Sequence, residues 1–345
     1  MFSSRHAFLS CLSSLPIASL EYQNFALERQ GRLTKPAGSL GRLEEISVWL
    51  SGWQEQERLS VERVKLLLFA GNHGVMKENV SAFPPEVTKQ MVANFQQGGA
   101  AINALTQVFG HELQIFPLDL EQPTENFTKQ AAMTEEEVLA AINIGAGAVD
   151  ELEVDLLYLG EMGIGNTTCA AAIAAAIFGG SGVDWAGPGT GLTYSEVRRK
   201  AEVIDKGLLR HSSNFDTAFD VIRCLGGREL AAMMGAVVAA RLRRVPVLLD
   251  GFVVTAAAVP LVLHGFDTLD HCMVAHCSAE PAHQRMLEHL WMEPLLDLNM
   301  RLGEGTGAAL AAEIVKGAVA TYNQMATFDE AAVSGKVTST KDEET

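Results

Sequence analysis

The sequence predicts an α/β fold, a parallel β-sheet covered by helices on both faces, and three observations carry the prediction. From about residue 62 onward, short continuous apolar runs alternate with long, Ala-rich helical stretches. Continuous rather than alternating apolar strands belong to sheets buried on both sides. Four of the runs end in small or functional residues at their C-terminal edge, where an open α/β sheet binds its ligands. Helix-period segments precede and follow this core, over 1–58 and Ala308–Phe328.

Residues 1–58 are helical in pattern, with a break at Lys35-Pro36-Ala37-Gly38-Ser39-Leu40-Gly41. Met1–Leu20 carries Arg5 and apolar side chains, but serines interrupt it and no small-residue cleavage site closes it. It reads as an amphipathic helix rather than a signal peptide. Strands are expected at Val64–Ala70, Leu113–Leu118, Leu156–Gly160, Val245–Asp250 and Cys272–Cys277. Helices are expected at Thr167–Ile177, Tyr194–Arg210, Glu229–Leu242 and Pro281–Leu290. The charged stretch 336–345 reads as a disordered tail.

Against 26 basic side chains stand 42 acidic ones, a formal charge of −16. Such a surface repels nucleic acid and anionic membrane, and no apolar run is long enough to span a bilayer. The cysteines Cys11, Cys169, Cys224, Cys272 and Cys277 are scattered without a disulfide framework, which points to a reducing cytoplasm.

Chemistry concentrates at Arg301-Leu302-Gly303-Glu304-Gly305-Thr306-Gly307, a lone carboxylate between glycines ahead of an apolar helical run. The flanking glycines permit positive φ and close approach of a ligand. On this stretch alone two readings stand: a general base on a rigid support, or a glycine-rich turn that caps a helix with Glu304 solvated. The strand ends favour the first. Val64–Phe69 runs into Gly71-Asn72-His73-Gly74, and Leu156–Leu159 into Gly160-Glu161-Met162-Gly163-Ile164-Gly165-Asn166-Thr167-Thr168. Val247–Leu249 runs into Asp250-Gly251-Phe252, and Met273–Ala275 into His276-Cys277-Ser278-Ala279-Glu280. An active site is therefore expected at this edge.

Gly160–Thr168 has the form of a phosphate-cradling loop, with Thr167 and Thr168 as candidate caps and Glu161 as a second active-site carboxylate. It is neither G-x-G-x-x-G nor a Walker loop. Gly187-Pro188-Gly189-Thr190-Gly191 leads into a helix carrying Arg198, Arg199 and Lys200, any one of which is able to face an anion at the helix start. A solvated basic face is the competing reading. Ala37–Gly41 lacks the strand a nucleophile elbow requires. His271-Cys272 and His276-Cys277 lie five apart, on opposite faces of a strand, and do not converge on zinc. No metal and no cofactor is expected.

Lys35–Glu44, the His73-Gly74 loop, Gly160–Thr168, Leu249–Phe252, Ser278–Glu280 and Arg301–Gly307 share their order and spacing with a known family. Over roughly residues 20–335 the chain resembles the nicotinate-nucleotide–dimethylbenzimidazole phosphoribosyltransferases. The resemblance implies transfer of 5-phosphoribose from nicotinate mononucleotide to 5,6-dimethylbenzimidazole, by a homodimer. It implies a Rossmann-like domain over 61–299 and a small helical domain made from 1–60 together with 300–335. By motif, Glu304 matches the family's catalytic base and Glu161 its second glutamate. Ser81 and Gln90 match the segment lining the base pocket. Gly163 with its loop (Gly165, Asn166), Lys200 and Ser278 match the phosphate side, and Gly303 and Gly305 flank the base. The pattern departs at Asn72, where many relatives carry Asp. A nucleotide N-glycosidase and a non-catalytic nicotinate-nucleotide sensor are the rival functions.

Overall fold

The apolar run Val64–Ala70 becomes strand β1, and its side chains divide between two cores. Val64, Leu66 and Leu68 enter one, Leu67 and Phe69 the other, as the two-residue period of a strand dictates. The structure is a computed structural model that describes residues 1–150 and 152–335; the expected tail 336–345 lies outside the described residues. The other strands are β2 (Glu112–Pro117), β3 (Leu156–Met162), β4 (Val247–Leu249) and β5 (Cys272–Val274). All pairs are parallel and the order is β2-β1-β3-β4-β5. The chain moves outward from β1 to β2 and then returns to the other side of β1. Between the C-terminal ends of β1 and β3, loops leave in opposite directions and open a crevice.

In chain order the helices are α1 (Arg5–Leu12), α2 (Leu20–Arg32), α3 (Arg42–Gln54), α4 (Glu86–Gln96), α5 (Ala101–Phe109), α6 (Glu135–Asp150) and α7 (Asn166–Phe178). They continue with α8 (Gly182–Trp185), α9 (Tyr194–His211), α10 (Ala218–Leu225), α11 (Arg228–Leu242), α12 (Phe252–Ala258), α13 (Pro281–Leu290) and α14 (Thr306–Gln324). One face of the sheet is covered by α6, α7, α10, α11 and α12. The other is covered by α3, α5 and α14, with α2 behind them. Helix α11, apolar on every side, is buried along its length, including Met233 and Met234.

Leu33 and Thr327 form an isolated bridge, and Arg29 Nε donates to the Tyr322 carbonyl at 2.9 Å. Two features differ from the expected helical domain of 1–60 with 300–335. Helix α1 packs on the opposite face, where Phe8 meets Phe219 with ring centroids 6.3 Å apart and Arg5 pairs with Asp220 at 2.6 Å. Phe8 and Leu12, one turn apart, form an apolar stripe that only that face completes. Helices α3 and α14 share their core with Leu66, Tyr158 and Leu248 of the sheet, so they are its second covering layer.

Candidate active site

Strand β4 ends at Leu249, and the next residue, Asp250, is fully buried. Its carboxylate accepts from the backbone N–H of Gly305 (3.2 Å) and of Ala308 (2.8 Å), the first turn of α14. A helix leaves those N–H groups without internal partners, and a carboxylate there also meets the positive end of the helix dipole. Asp250 thus ties the Glu304 loop to the C-terminal end of β4. Opposite it, Gly307 lies against the His276 ring, and His276 Nε2 stands 3.7 Å from Asp250 Oδ1.

The loop is wound tightly. Gly303, Glu304 and Gly305 all have positive φ, at 86°, 63° and 84°. For the two glycines this conformation is free, while for Glu304 it is strained and costs of order 1–3 kcal/mol. The turn brings the backbone of Glu304 over Gly160 of β3: an added Cβ at Gly160 would lie 2.7 Å from the Glu304 carbonyl oxygen. Glu161, the next residue of β3, presses one carboxyl oxygen against Gly303, and Asn166 Nδ2 donates to the other. Contacts with the backbone thus hold Glu161 and the Glu304 loop together, although the two lie far apart in the chain.

These groups line a cavity of about 420 Å³. Its wall includes the acids Glu161, Asp250, Glu280 and Glu304, the loop residues Gly163, Asn166 and Gly303, and Ser278. Apolar side chains Phe83, Val87 and Met91 close one side. Burial pushes the Glu161 carboxyl up to about 8, with Asp250, Glu229 and Glu304 adding repulsion. Burial likewise raises Glu304 and Asp250. Behind Thr167 and Gly189, Lys200 is buried; its Nζ donates to Thr167 Oγ1 (2.8 Å) and to the Gly187 carbonyl (3.1 Å). Burial lowers its pKa to about 8, and Glu280 opposes the fall. Arg198 and Arg199 are not buried, so of the three cations only Lys200 faces inward.

Other expected residues fall elsewhere. Ser81 sits at the rim, its Oγ 3.0 Å from Thr190 Oγ1. Gln90 is exposed on α4 and does not line the cavity; Val87 and Met91, one helical turn apart, do. Pro84-Pro85 ahead of that apolar pair is the signal in the sequence that marks this helix start. Gly165 borders α7 as its N-cap residue without lining the cavity, and Gly305 likewise starts α14. The threonines do not cap α7: Thr167 receives Lys200, and Thr168 is buried in the core.

The His73-Gly74 loop supports the site from beneath. His73 Nε2 lies 2.6 Å from Glu229 Oε1, and Cys169 Sγ lies 3.3 Å from His73 Nδ1, all buried. Burial works against charge on His73, but Glu229 and Cys169 outweigh it and hold the imidazole well above its ordinary pKa. Gly163 rests on this pair, leaving no room for a side chain. Asn72 Nδ2 donates to the Leu120 carbonyl at 2.8 Å, a structural contact.

A raised carboxyl pKa has a consequence for stability. Glu161 holds its proton more tightly in the folded than in the unfolded chain, so its contribution is complete below the ordinary carboxylate range. That contribution is lost as pH rises toward about 8. The melting temperature is expected to fall over this interval, and to fall less steeply in Glu161→Gln. Equal slopes for the two proteins would show that Glu161 ionises without a folding penalty.

A family described as phosphoribosyltransferase matches residues 16–333. The chain is 51% identical over 333 residues to a nicotinate-nucleotide–dimethylbenzimidazole phosphoribosyltransferase of Novosphingobium aromaticivorans, covering 96% of this chain and 98% of the relative. It is 51% identical over 336 residues to the protein of that name from Cereibacter sphaeroides, covering 97% and 98%. A crystal structure of the Thermus thermophilus protein of the same name superposes with a TM-score of 0.86 at 35% identity, covering 92% of this chain and 100% of that one. The ordered motifs, the sheet with its buried cavity carboxyls and these likenesses converge: the chain belongs to the nicotinate-nucleotide–dimethylbenzimidazole phosphoribosyltransferase family.

Proposed function

We propose that the protein transfers 5-phosphoribose from nicotinate mononucleotide to 5,6-dimethylbenzimidazole, giving α-ribazole 5′-phosphate and nicotinate with inversion at C1′. The observation that carries this reading is that Glu161 and Glu304 are both buried and both line one cavity that has Lys200 behind its wall. The nicotinate ring of the donor is a pyridinium and leaves as a neutral nitrogen, so departure needs no general acid. Attack by one benzimidazole nitrogen makes the acceptor cationic unless its other N–H loses a proton. Glu304 takes that proton. Its Oε2 is buried without a hydrogen-bond partner among the described residues, and burial raises its pKa toward the operating range of a general base.

Glu161 faces the positive charge that develops at C1′. Its high pKa falls when a cationic ring arrives, because opposite charge favours the ionised form. The phosphate is a handle: Ser278, the start of α7 and Lys200 through Thr167 offer donors for it without a metal. Phe83, Val87 and Met91 provide the apolar wall that a planar base requires. Ser81 stands at its rim, whereas Gln90 would need the α4 segment to move before it touched the base.

The homodimer belongs to the same reading. Trp291 and Phe266 are exposed large apolar side chains at an open, otherwise largely polar groove of about 650 Å³, and a subunit contact would bury them. Among the described residues no helix is long and apolar enough to cross a membrane.

Purified protein given both substrates is expected to form α-ribazole 5′-phosphate and nicotinate in equal amounts. Nicotinate release at the same rate without the base would assign hydrolysis instead. Donor binding without turnover would assign a sensor.

A further inference from the structure

Glu280 is the one cavity acid whose side chain the chemistry above leaves unused. It is 4% exposed and lines the cavity, and neither carboxylate oxygen has a hydrogen-bond donor among the described residues. It occupies the N-cap position of α13, yet its side chain makes no capping bond. Instead one oxygen lies against Gly187, whose carbonyl receives Lys200, and its backbone N–H is held by Ser278 Oγ at 3.3 Å. A buried carboxylate without donors is costly, so a ligand that supplies them gains more than an exposed pair would give.

Resting on the phosphoribosyl-transfer reading, we infer that Glu280 binds the ribose of the donor nucleotide, accepting hydrogen bonds from its 2′- and 3′-hydroxyls. The donor's own chemistry leads there. The nicotinate carboxylate only accepts, the pyridinium nitrogen carries no hydrogen, and the phosphate is chiefly an acceptor near neutral pH. The two ribose hydroxyls are thus the donors the nucleotide brings. Among the other acids, Asp250 is engaged by Gly305 and Ala308, Glu161 by Asn166, and Glu304 faces the acceptor's N–H. Glu280 alone has both oxygens free. The position beside Ser278 and the Lys200 loop sets the sugar next to the phosphate end of the cavity. A carboxylate on the 2′-hydroxyl also strengthens its hydrogen bond as C1′ becomes cationic, so it acts on the rate as well as on affinity.

The test pairs a deletion on the protein with a deletion on the substrate. kcat/KM is measured for nicotinate mononucleotide and for its 2′-deoxy and 3′-deoxy analogues, with wild type, Glu280→Ala and Glu280→Gln. Wild type is expected to discriminate against at least one deoxy donor by roughly ten- to a hundredfold, the usual worth of a hydrogen bond to a charged group. In Glu280→Ala that ratio should collapse to within about threefold, with Glu280→Gln between the two. A ratio of two substrates on one preparation does not depend on the fraction folded, so a destabilised variant still reports. Retention of the full ratio in Glu280→Ala, or no discrimination by wild type, overturns the assignment. Wild-type turnover of the ordinary donor tests the transfer reaction separately. If there is no turnover, the same ratios taken from dissociation constants decide the question for Glu280.

Discussion

Glu304→Gln is expected to lower kcat by about 10²–10⁴-fold while leaving donor affinity and melting temperature close to wild type. The amide has the same shape, so it fits the same strained loop with φ of 63°. It cannot accept a proton, and the benzimidazole must then attack with its N–H in place. Residual turnover comes from positioning by the cavity and from Glu161. Nicotinate release at saturating substrates reads kcat, and titration calorimetry reads donor binding. The pH profile supplies an independent sign: a base with a raised pKa loses activity as pH falls through that value, because the protonated form is inert. Glu304→Gln should lose this limb. A variant that turns over at the wild-type rate would remove Glu304 from the mechanism.

Gly160→Ala is expected to disturb the site directly, because the added methyl would meet the Glu304 backbone. The added carbon would stand 2.7 Å from the carbonyl oxygen and 2.8 Å from the carbonyl carbon of Glu304, and 3.1 Å from the nitrogen of Gly305. All three are backbone atoms and cannot rotate away, so strand and loop must separate. Displacements of under about an ångström at a catalytic group cost up to roughly a hundredfold in rate, and kcat should fall by roughly ten- to a hundredfold. Stability should fall by about 1–3 kcal/mol, the usual cost of overpacking. Gly147→Ala on α6 is the control. Its Cβ would meet nothing within 4 Å, and removing a mid-helix glycine should stabilise by roughly 0.5–1 kcal/mol. Wild-type kcat in Gly160→Ala would show that this approach does not set the position of Glu304.

Both predictions depend on glycines that the sequence marks as important without saying why. Read along the chain, Gly160 opens a loop that looks built for phosphate. In the fold its first task is to let the Glu304 backbone lie against β3. The strands of the sheet were legible because their apolar runs are continuous, and the ends of four of them gave the edge where the site lies. β4 and β5 are shorter than their apolar runs, since the residues after Leu249 and Val274 leave the ladder for the cavity. Helices α4, α5 and α6 left a weaker trace than the long Ala-rich helices, although Pro84-Pro85 marks the start of α4. The family's base-pocket motif placed Gln90 beside the substrate, whereas helical geometry turns Val87 and Met91 inward and Gln90 outward.

The placement of charge was the least legible. Arg198, Arg199 and Lys200 are equivalent in sequence, and only the rotation of α9 decides that Lys200 is the buried one. Asp250 reads as an acid at a strand end; its work as the anchor of α14 depends on a helix that begins far later in the chain, at Thr306. Glu280 reads as a helix start and proves to be a carboxylate without partners among the described residues.

By itself the sequence determined the parallel sheet and the edge where the cavity lies, and it marked Glu161 and Glu304 as candidate acids there, because apolar periodicity and glycine-flanked carboxylates are local properties. Only the tertiary structure decided which side chains meet in the cavity, which cation faces it, and that α1 joins one layer while α2, α3 and α14 form the other. Those outcomes depend on contacts between residues far apart in the chain, and on burial, which raises the pKa of a carboxyl only once the other elements have closed around it.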